Sequence, residues 1–252
     1  MLTQPTWRRW RCLWLLMALL PSPVRAEDTS DVARSWNAAL VLTPGDPNPK
    51  TPADLSGDHK RPVVLYMHGC GGINEENDLP WIKYVASLGF VVVAPDRFAR
   101  ADKEPSCWPD HSARVLAMRH EDLDYALGRI KSSAWADPLN TFVMAFSEGA
   151  DTVAESRISG VRGVVLSSWT CGHVKEIAVA EGVPVLSVMW DEAARWHFWH
   201  KHTCADDFAG RAGFQNVTLH GKGHATYAEA SAREAVAQFL RGHLTHTSAS
   251  RP

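Results

Sequence analysis

The sequence predicts an α/β protein, a mostly parallel sheet covered by helices on both faces. Three observations carry this. Short β-branched runs recur along the chain and stop at glycine, proline or a polar residue, as strands buried on both faces do. Segments with apolar residues at helical spacing lie between them. The two kinds alternate, which is what strand–helix–strand crossovers within one sheet require.

Taken in order, the chain opens with MLTQPTWRRWRCLWLLMALLPSPVRA. Arg8, Arg9 and Arg11 precede an apolar run from Cys12 to Leu20, and a proline-broken segment ends at Ala26. This is the three-part pattern of a cleaved export signal; the run is about half the ~20 residues a membrane span needs. Residues 27–244 are expected to form one domain and 245–252 a disordered tail. After the signal, EDTSDVARSWNAALVLTP has room for one early strand, and GDPNPKTPADLSGDHK, rich in Pro, Gly and Asp, reads as loop. RPVVLYMHG is a buried strand, LPWIKYVASLG a helix ending at Gly89, and FVVVAPD the next buried strand. Residues 112–132 place Val115, Leu116, Met118, Leu123, Tyr125, Ala126 and Ile130 at largely helical spacing and predict the longest helix. TFVMAF, VRGVVLSSW, VPVLSVMW and QNVTLH complete the strands; SEGADTVAES and ATYAEASAREAVAQFLRGHL read as helices.

The net charge of −2, with no basic stripe interleaved with aromatics, excludes nucleic acid and any partner recognised mainly by charge. Loss of the signal removes Cys12 and leaves Cys70, Cys107, Cys171 and Cys204, an even number for an exported chain. Four thiols allow three pairings. Cys70–Cys107 with Cys171–Cys204 is favoured because each pair joins loops on the same edge of the sheet. There is no CxxC, and His197, His200 and His202 do not share one helix face, so neither a metal nor another cofactor is expected.

In a parallel sheet, ligands and catalytic groups collect at the carboxyl ends of the strands. Ser147 follows TFVMAF, Asp191 follows VPVLSVMW, His224 follows QNVTLH, and HGCGG follows RPVVLYM. The segments MHGCGG, VVVAPD, AFSEGA, WDE and GKGHA, spread over residues 61 to 242, resemble the α/β-hydrolases and, within that fold, the dienelactone hydrolase family. The elbow reads Ala145-Phe146-Ser147-Glu148-Gly149, with Ala where Gly is usual. The enzymes that give the family its name use a cysteine nucleophile; this chain carries serine, so their substrate is not carried over.

The resemblance implies a hydrolase of carboxylic esters, lactones or thioesters, needing no cofactor and taking a small-molecule ester as its partner. Ser147 is the nucleophile, His224 its base, and Asp191 the acid that holds the imidazole in the needed tautomer. The Glu148 N–H supplies one oxyanion donor, and Cys70 or Gly71 the second. An ordinary N-cap at Ser147 would need neither Ala145 nor Gly149 nor a buried strand before it. His220 competes with His224, and Glu192, Asp206 and Asp207 compete with Asp191. His68 reads as structural, and the Glu148 side chain as a solvated first-turn acid complementing the helix dipole, the alternative being a hydrogen bond near the nucleophile that tunes it. Trp108, Trp190, Trp196 and Trp199 are candidates to line an acyl pocket. The competing reading is a binding protein that keeps the fold without the chemistry.

Overall fold

A computed structural model describes residues 28–104, 107, 113–169, 171, 174, 176–193 and 204–245. The export signal and the chain beyond Thr245 lie outside the described residues. Eight strands form one sheet: β1 (Leu40–Thr43), β2 (Asp46–Lys50), β3 (Arg61–Met67), β4 (Val91–Ala94), β5 (Ala136–Phe146), β6 (Val164–Ser167), β7 (Val185–Ala193) and β8 (Phe214–Gly223). Their order is β2-β1-β4-β3-β5-β6-β7-β8. From β4 to β8 every neighbouring pair is parallel; β1 runs antiparallel to both β4 and β2.

The helices are α1 (Asp31–Asn37), α2 (Asp78–Ser87), α3 (Ala113–Ser132), α4 (Glu148–Ala154), α5 (Cys204–Phe208) and α6 (Ala230–Gly242). Because strand side chains alternate between faces, β5 feeds two cores. Val143 and Ala145 pack with Trp36 of α1, Leu123 and Ile130 of α3 and Val153 of α4. Phe142, Met144 and Phe146 pack on the other face with Trp81 and Val85 of α2 and Val236 and Phe239 of α6. Burying each such side chain contributes ~1.5–3 kcal/mol, which explains why the central strands read as continuous apolar runs. Among the described residues no helix is long and apolar enough to cross a membrane.

The structure departs from the sequence reading in four places. β2 lies in the stretch expected to be loop. Its residues Pro47 and Pro49 lack an N–H, but β2 is the outermost strand and pairs only with β1, so the outward side needs no donor. α1 was not expected; Ser30 Oγ caps it by accepting the Ala33 N–H at 3.3 Å, and Trp36 anchors it in the core. The last helix begins at Ala230 instead of near Ala225, because Thr226 is drawn inward by Trp81 and Ser167. Finally, β7 and β8 stay paired past Trp190 and His220, as far as Ala193 opposite Gly223.

Candidate active site

β5 ends in a sharp turn at Ser147, whose backbone sits at φ 53° and ψ −125°. A residue with a side chain persists there only when its surroundings over-determine it. Here they do. The Ser147 N–H donates to the Ser167 carbonyl at 2.9 Å, and the Ser147 carbonyl accepts from Ala150 and Asp151 at 2.8 and 3.1 Å. Gly149 is the packing requirement: a Cβ on it would stand 2.3 Å from the Met67 carbonyl oxygen. The Ser147 side chain makes no capping bond to α4. Its Oγ instead lies 3.2 Å from His224 Nε2.

His224 follows the last paired residue of β8 and is held from three sides. Its ring stacks at a tilt on Phe146, centroids 4.9 Å apart. Its carbonyl accepts from Ser168 Oγ, and Ser168 itself sits at φ 52°. Two residues on, Thr226 Oγ1 is bonded to Ser167 Oγ at 2.6 Å and accepts from Trp81 Nε1 at 3.1 Å. Sequence reading missed Ser167, Ser168, Thr226 and Trp81 as supports of His224. The serine pair closing VRGVVLSSW, at a strand's carboxyl end, was the available signal.

Asp191 departs from expectation. Its Oδ2 is 2.8 Å from His220 Nδ1, and its Oδ1 accepts the Gly221 N–H at 2.9 Å, so both oxygens serve β8. The register explains why. Trp190 pairs with Leu219 and Glu192 with Lys222, so Asp191 faces the two residues His220 and Gly221, a bulge in which Gly221 takes φ 110°. The acid therefore caps a bulge inside a strand that the sequence placed past its end. The His220 bond and the Gly221 N–H together hold the Asp191 carboxyl below the usual carboxylate range.

The carbonyls of His68, Gly69 and Cys70 and the N–H of Gly69 are all engaged in the turn after β3. Arg119 Nη2 donates to the His68 carbonyl. The Gly69 N–H donates to Asp78 at 3.1 Å, and the Gly69 carbonyl accepts from Gly72 N–H at 3.2 Å and from His68 Nδ1 at 2.7 Å. Arg97 Nη2 donates to the Cys70 carbonyl at 3.1 Å. A Cβ on Gly69 would be 3.5 Å from Ser147 Cβ, so this turn runs beside Ser147. His68 is buried and kept neutral, its pKa pushed well down by burial and by the Arg119 charge. Burial pushes the Asp78 carboxyl up to about 6 despite the hydrogen bonds it accepts.

The Glu148 side chain is not the solvated acid expected. It is 4% exposed, with Oε1 3.6 Å from Nε of the equally buried Arg119. The first turn of α4 faces the core here because Gly149 draws it onto β3. Disulfides join Cys70 to Cys107 and Cys171 to Cys204, tying the turn after β3 and the start of α5 to neighbouring loops.

No protein-family model and no curated protein sequence matches the chain. Solved structures do. Est1E from Butyrivibrio proteoclasticus superposes with a TM-score of 0.58 at 14% identity, covering 81% of this chain and 93% of its own. The esterase PE8 gives 0.54 at 18% identity, over 81% of this chain and 97% of its own. An alpha-beta serine hydrolase homologue from Coxiella burnetii gives 0.54 at 15% identity, over 82% and 91%. The fold is that of the α/β-hydrolases.

Within the α/β-hydrolase fold, Ser147 occupies the strand-to-helix elbow and His224 the loop after the edge strand. Trp190 lies over Gly223, where a Cβ would come within 2.3 Å of its indole, so it covers the strand end that delivers His224. Trp108, Trp196 and Trp199, with His197, His200 and His202, lie outside the described residues. Among the described residues no group of His, Cys, Asp and Glu is arranged to hold a metal ion.

Proposed function

We propose that this chain is an exported serine hydrolase of the dienelactone hydrolase-like group, cleaving carboxylic esters through an acyl-enzyme on Ser147. The observation that carries the reading is a serine held at φ 53° with its hydroxyl 3.2 Å from an imidazole nitrogen. His224 Nε2 takes the hydroxyl proton as Oγ attacks the ester carbonyl carbon. The resulting oxyanion is met by the Glu148 N–H at the start of α4 and by an N–H of the turn after β3, Cys70 or Gly71. Collapse breaks the bond to the alkoxy group, which leaves as alcohol with the proton from His224. Water, deprotonated by the same nitrogen, then releases the acid and restores Ser147.

Asp191 is assigned to the same machinery as the residue that fixes the His224 loop through Gly221 and His220, because those are the groups its carboxylate engages. Export is supported by the amino-terminal pattern and by two disulfides, bonds that persist in oxidising compartments. Lactones and thioesters need the same acyl transfer and belong to the substrate range. One solved structure has ferulic acid bound to Est1E; with Trp190 on β7 and Trp196 and Trp199 following shortly after it in the sequence, this favours aromatic acyl groups for the present chain.

The test is turnover of p-nitrophenyl acetate together with covalent labelling by a fluorophosphonate probe. Labelling of the wild type that disappears in Ser147→Ala is expected. An inert, unlabelled wild type, or labelling that survives the substitution, overturns the proposal. A panel of acetyl and hydroxycinnamoyl esters tests the acyl preference; equal kcat/KM across it removes that preference.

A further inference from the structure

The nucleophile's neighbour and the oxyanion turn are joined underneath by buried charge. Arg97 and Arg119 are each 1% exposed, although an arginine is almost never fully buried unless paired. Arg119 reaches both halves of the site: its Nη2 donates to the His68 carbonyl, and its Nε faces Glu148 Oε1 at 3.6 Å. Arg97 spans two loops, donating from Nη2 to the Cys70 carbonyl at 3.1 Å and from Nη1 to the Glu104 carbonyl at 2.8 Å. The Glu148 carboxylate acts electrostatically on both guanidinium groups. None of these contacts touches the reacting atoms, and a solvated salt bridge would have done as well for solubility alone.

Peptide geometry says what the contacts do. In a trans peptide the carbonyl of one residue and the N–H of the next point in opposite directions. The Gly69 carbonyl is turned inward to Gly72 N–H and the His68 ring, which sends the Cys70 N–H the other way. The Cys70 carbonyl is pulled onto Arg97, which sends the Gly71 N–H away from that buried guanidinium. Gly71 N–H has no hydrogen-bond partner among the described residues, and a Cβ on Gly71 would meet nothing within 4 Å. The Gly69 N–H, by contrast, is consumed by Asp78. The arginines thus grip the carbonyl side of the turn and leave the Gly71 N–H presented.

We infer that Arg97 and Arg119 are positioning residues for acyl transfer, bridged by Glu148, which fix the two oxyanion donors relative to each other by holding the Cys70 and His68 carbonyls from beneath. The inference rests on the esterase reading above. It assigns the Glu148 residue two functions, a backbone donor above and a side-chain counter-charge below.

The experiment compares wild type, Arg97→Met, Arg97→Lys and Arg119→Lys with p-nitrophenyl acetate as substrate and phenylboronic acid as a mimic of the tetrahedral intermediate. Active sites are counted by fluorophosphonate labelling carried to completion. For Arg97→Met, kcat per labelled site should fall on the order of 10²-fold, as a ~1 Å misplacement does, with KM unchanged. Affinity for the boronic acid should fall by the same factor. Arg97→Lys, which keeps the charge but loses the two-pronged grip, should fall between Arg97→Met and wild type, and it carries the test if the methionine variant does not fold. Arg119→Lys should lower kcat and boronic acid affinity together in the same way. A kcat per labelled site equal to wild type, or a loss of thermal stability with boronic acid affinity unmoved, overturns the inference. A wild type that neither labels nor turns over overturns the esterase reading itself, so the two failures are distinct.

Discussion

The two ends of the candidate site are held by different physics. At the Ser147 end, between β3, β5 and α4, the groups that support the turn from beneath are buried: Gly149 abuts backbone carbonyls, Glu148 and Arg119 face each other out of water, and Phe146 is in the core. At the base end, His220 is 88% exposed, Asp191 is one-third exposed, and β8 is the edge of the sheet. There His224 is placed by side-chain bonds to its loop, through Ser168 and Thr226, and by the contact of its ring with Phe146. Under the proposed function, an attacking atom must be held to within fractions of an ångström, whereas a base must move a proton twice per cycle. Packing suits the first requirement and a hydrogen-bonded loop the second.

That contrast makes four predictions. The largest effect is at the base: His224→Ala should lower kcat by ~10⁶-fold, the scale seen when a histidine general base is removed, with the melting temperature barely changed because the loop bonds run through Ser168 and Thr226. Steady-state kinetics and a thermal melt decide it, and a large fall in stability would place His224 in the packed region instead. At the other end the order reverses. Gly149→Ala forces a methyl group to 2.3 Å from the Met67 carbonyl and should cost ~3 kcal/mol of stability through overpacking, read by urea unfolding.

Asp78 sharpens the comparison through pH. Its carboxyl is raised from an ordinary 3.8 to about 6 by burial. Between those values the folded protein retains a proton the unfolded chain has released, so stability falls as pH rises through that window. The shift corresponds to ~3 kcal/mol across the window, and Asp78→Asn should remove that slope from unfolding free energies measured between pH 4 and 7. Asp191 is the opposite case. Its depressed pKa means its contribution is present through neutral pH and is lost only as pH falls below the ordinary carboxylate range. Asp191→Asn should give the smallest effect, a decline in kcat well short of the ~10⁴-fold loss that follows removal of an acid bonded directly to the base. A full loss of that size would show that Asp191 turns to His224 during the reaction.

Much of the site was legible in the sequence because its signals are local. A β-branched run followed by small-x-Ser-x-small specifies a buried strand and a tight turn within a few residues, and Ala145 and Gly149 suffice to flag it. The base was legible as a histidine just past the last strand-like run, although His220 and His224 compete on spacing alone. The carboxylate contact was not legible, since β7 and β8 stay paired three residues longer than their apolar runs suggest, and the added pairs turn Asp191 toward β8. The edge strand β2 was hidden by its prolines, and the burial of Glu148 by its place in a first helical turn, where acids ordinarily meet solvent.

The sequence by itself determined the α/β architecture and the sharp turn at Ser147, because hydrophobic period and turn chemistry are set by neighbours along the chain. Only the tertiary structure decided which carboxylate faces which histidine, and that two arginines hold the carbonyls of the turn after β3. Those choices depend on strand register and on desolvation by residues remote in sequence: Arg119 meets the His68 carbonyl across 51 positions of chain, a separation that no local pattern encodes.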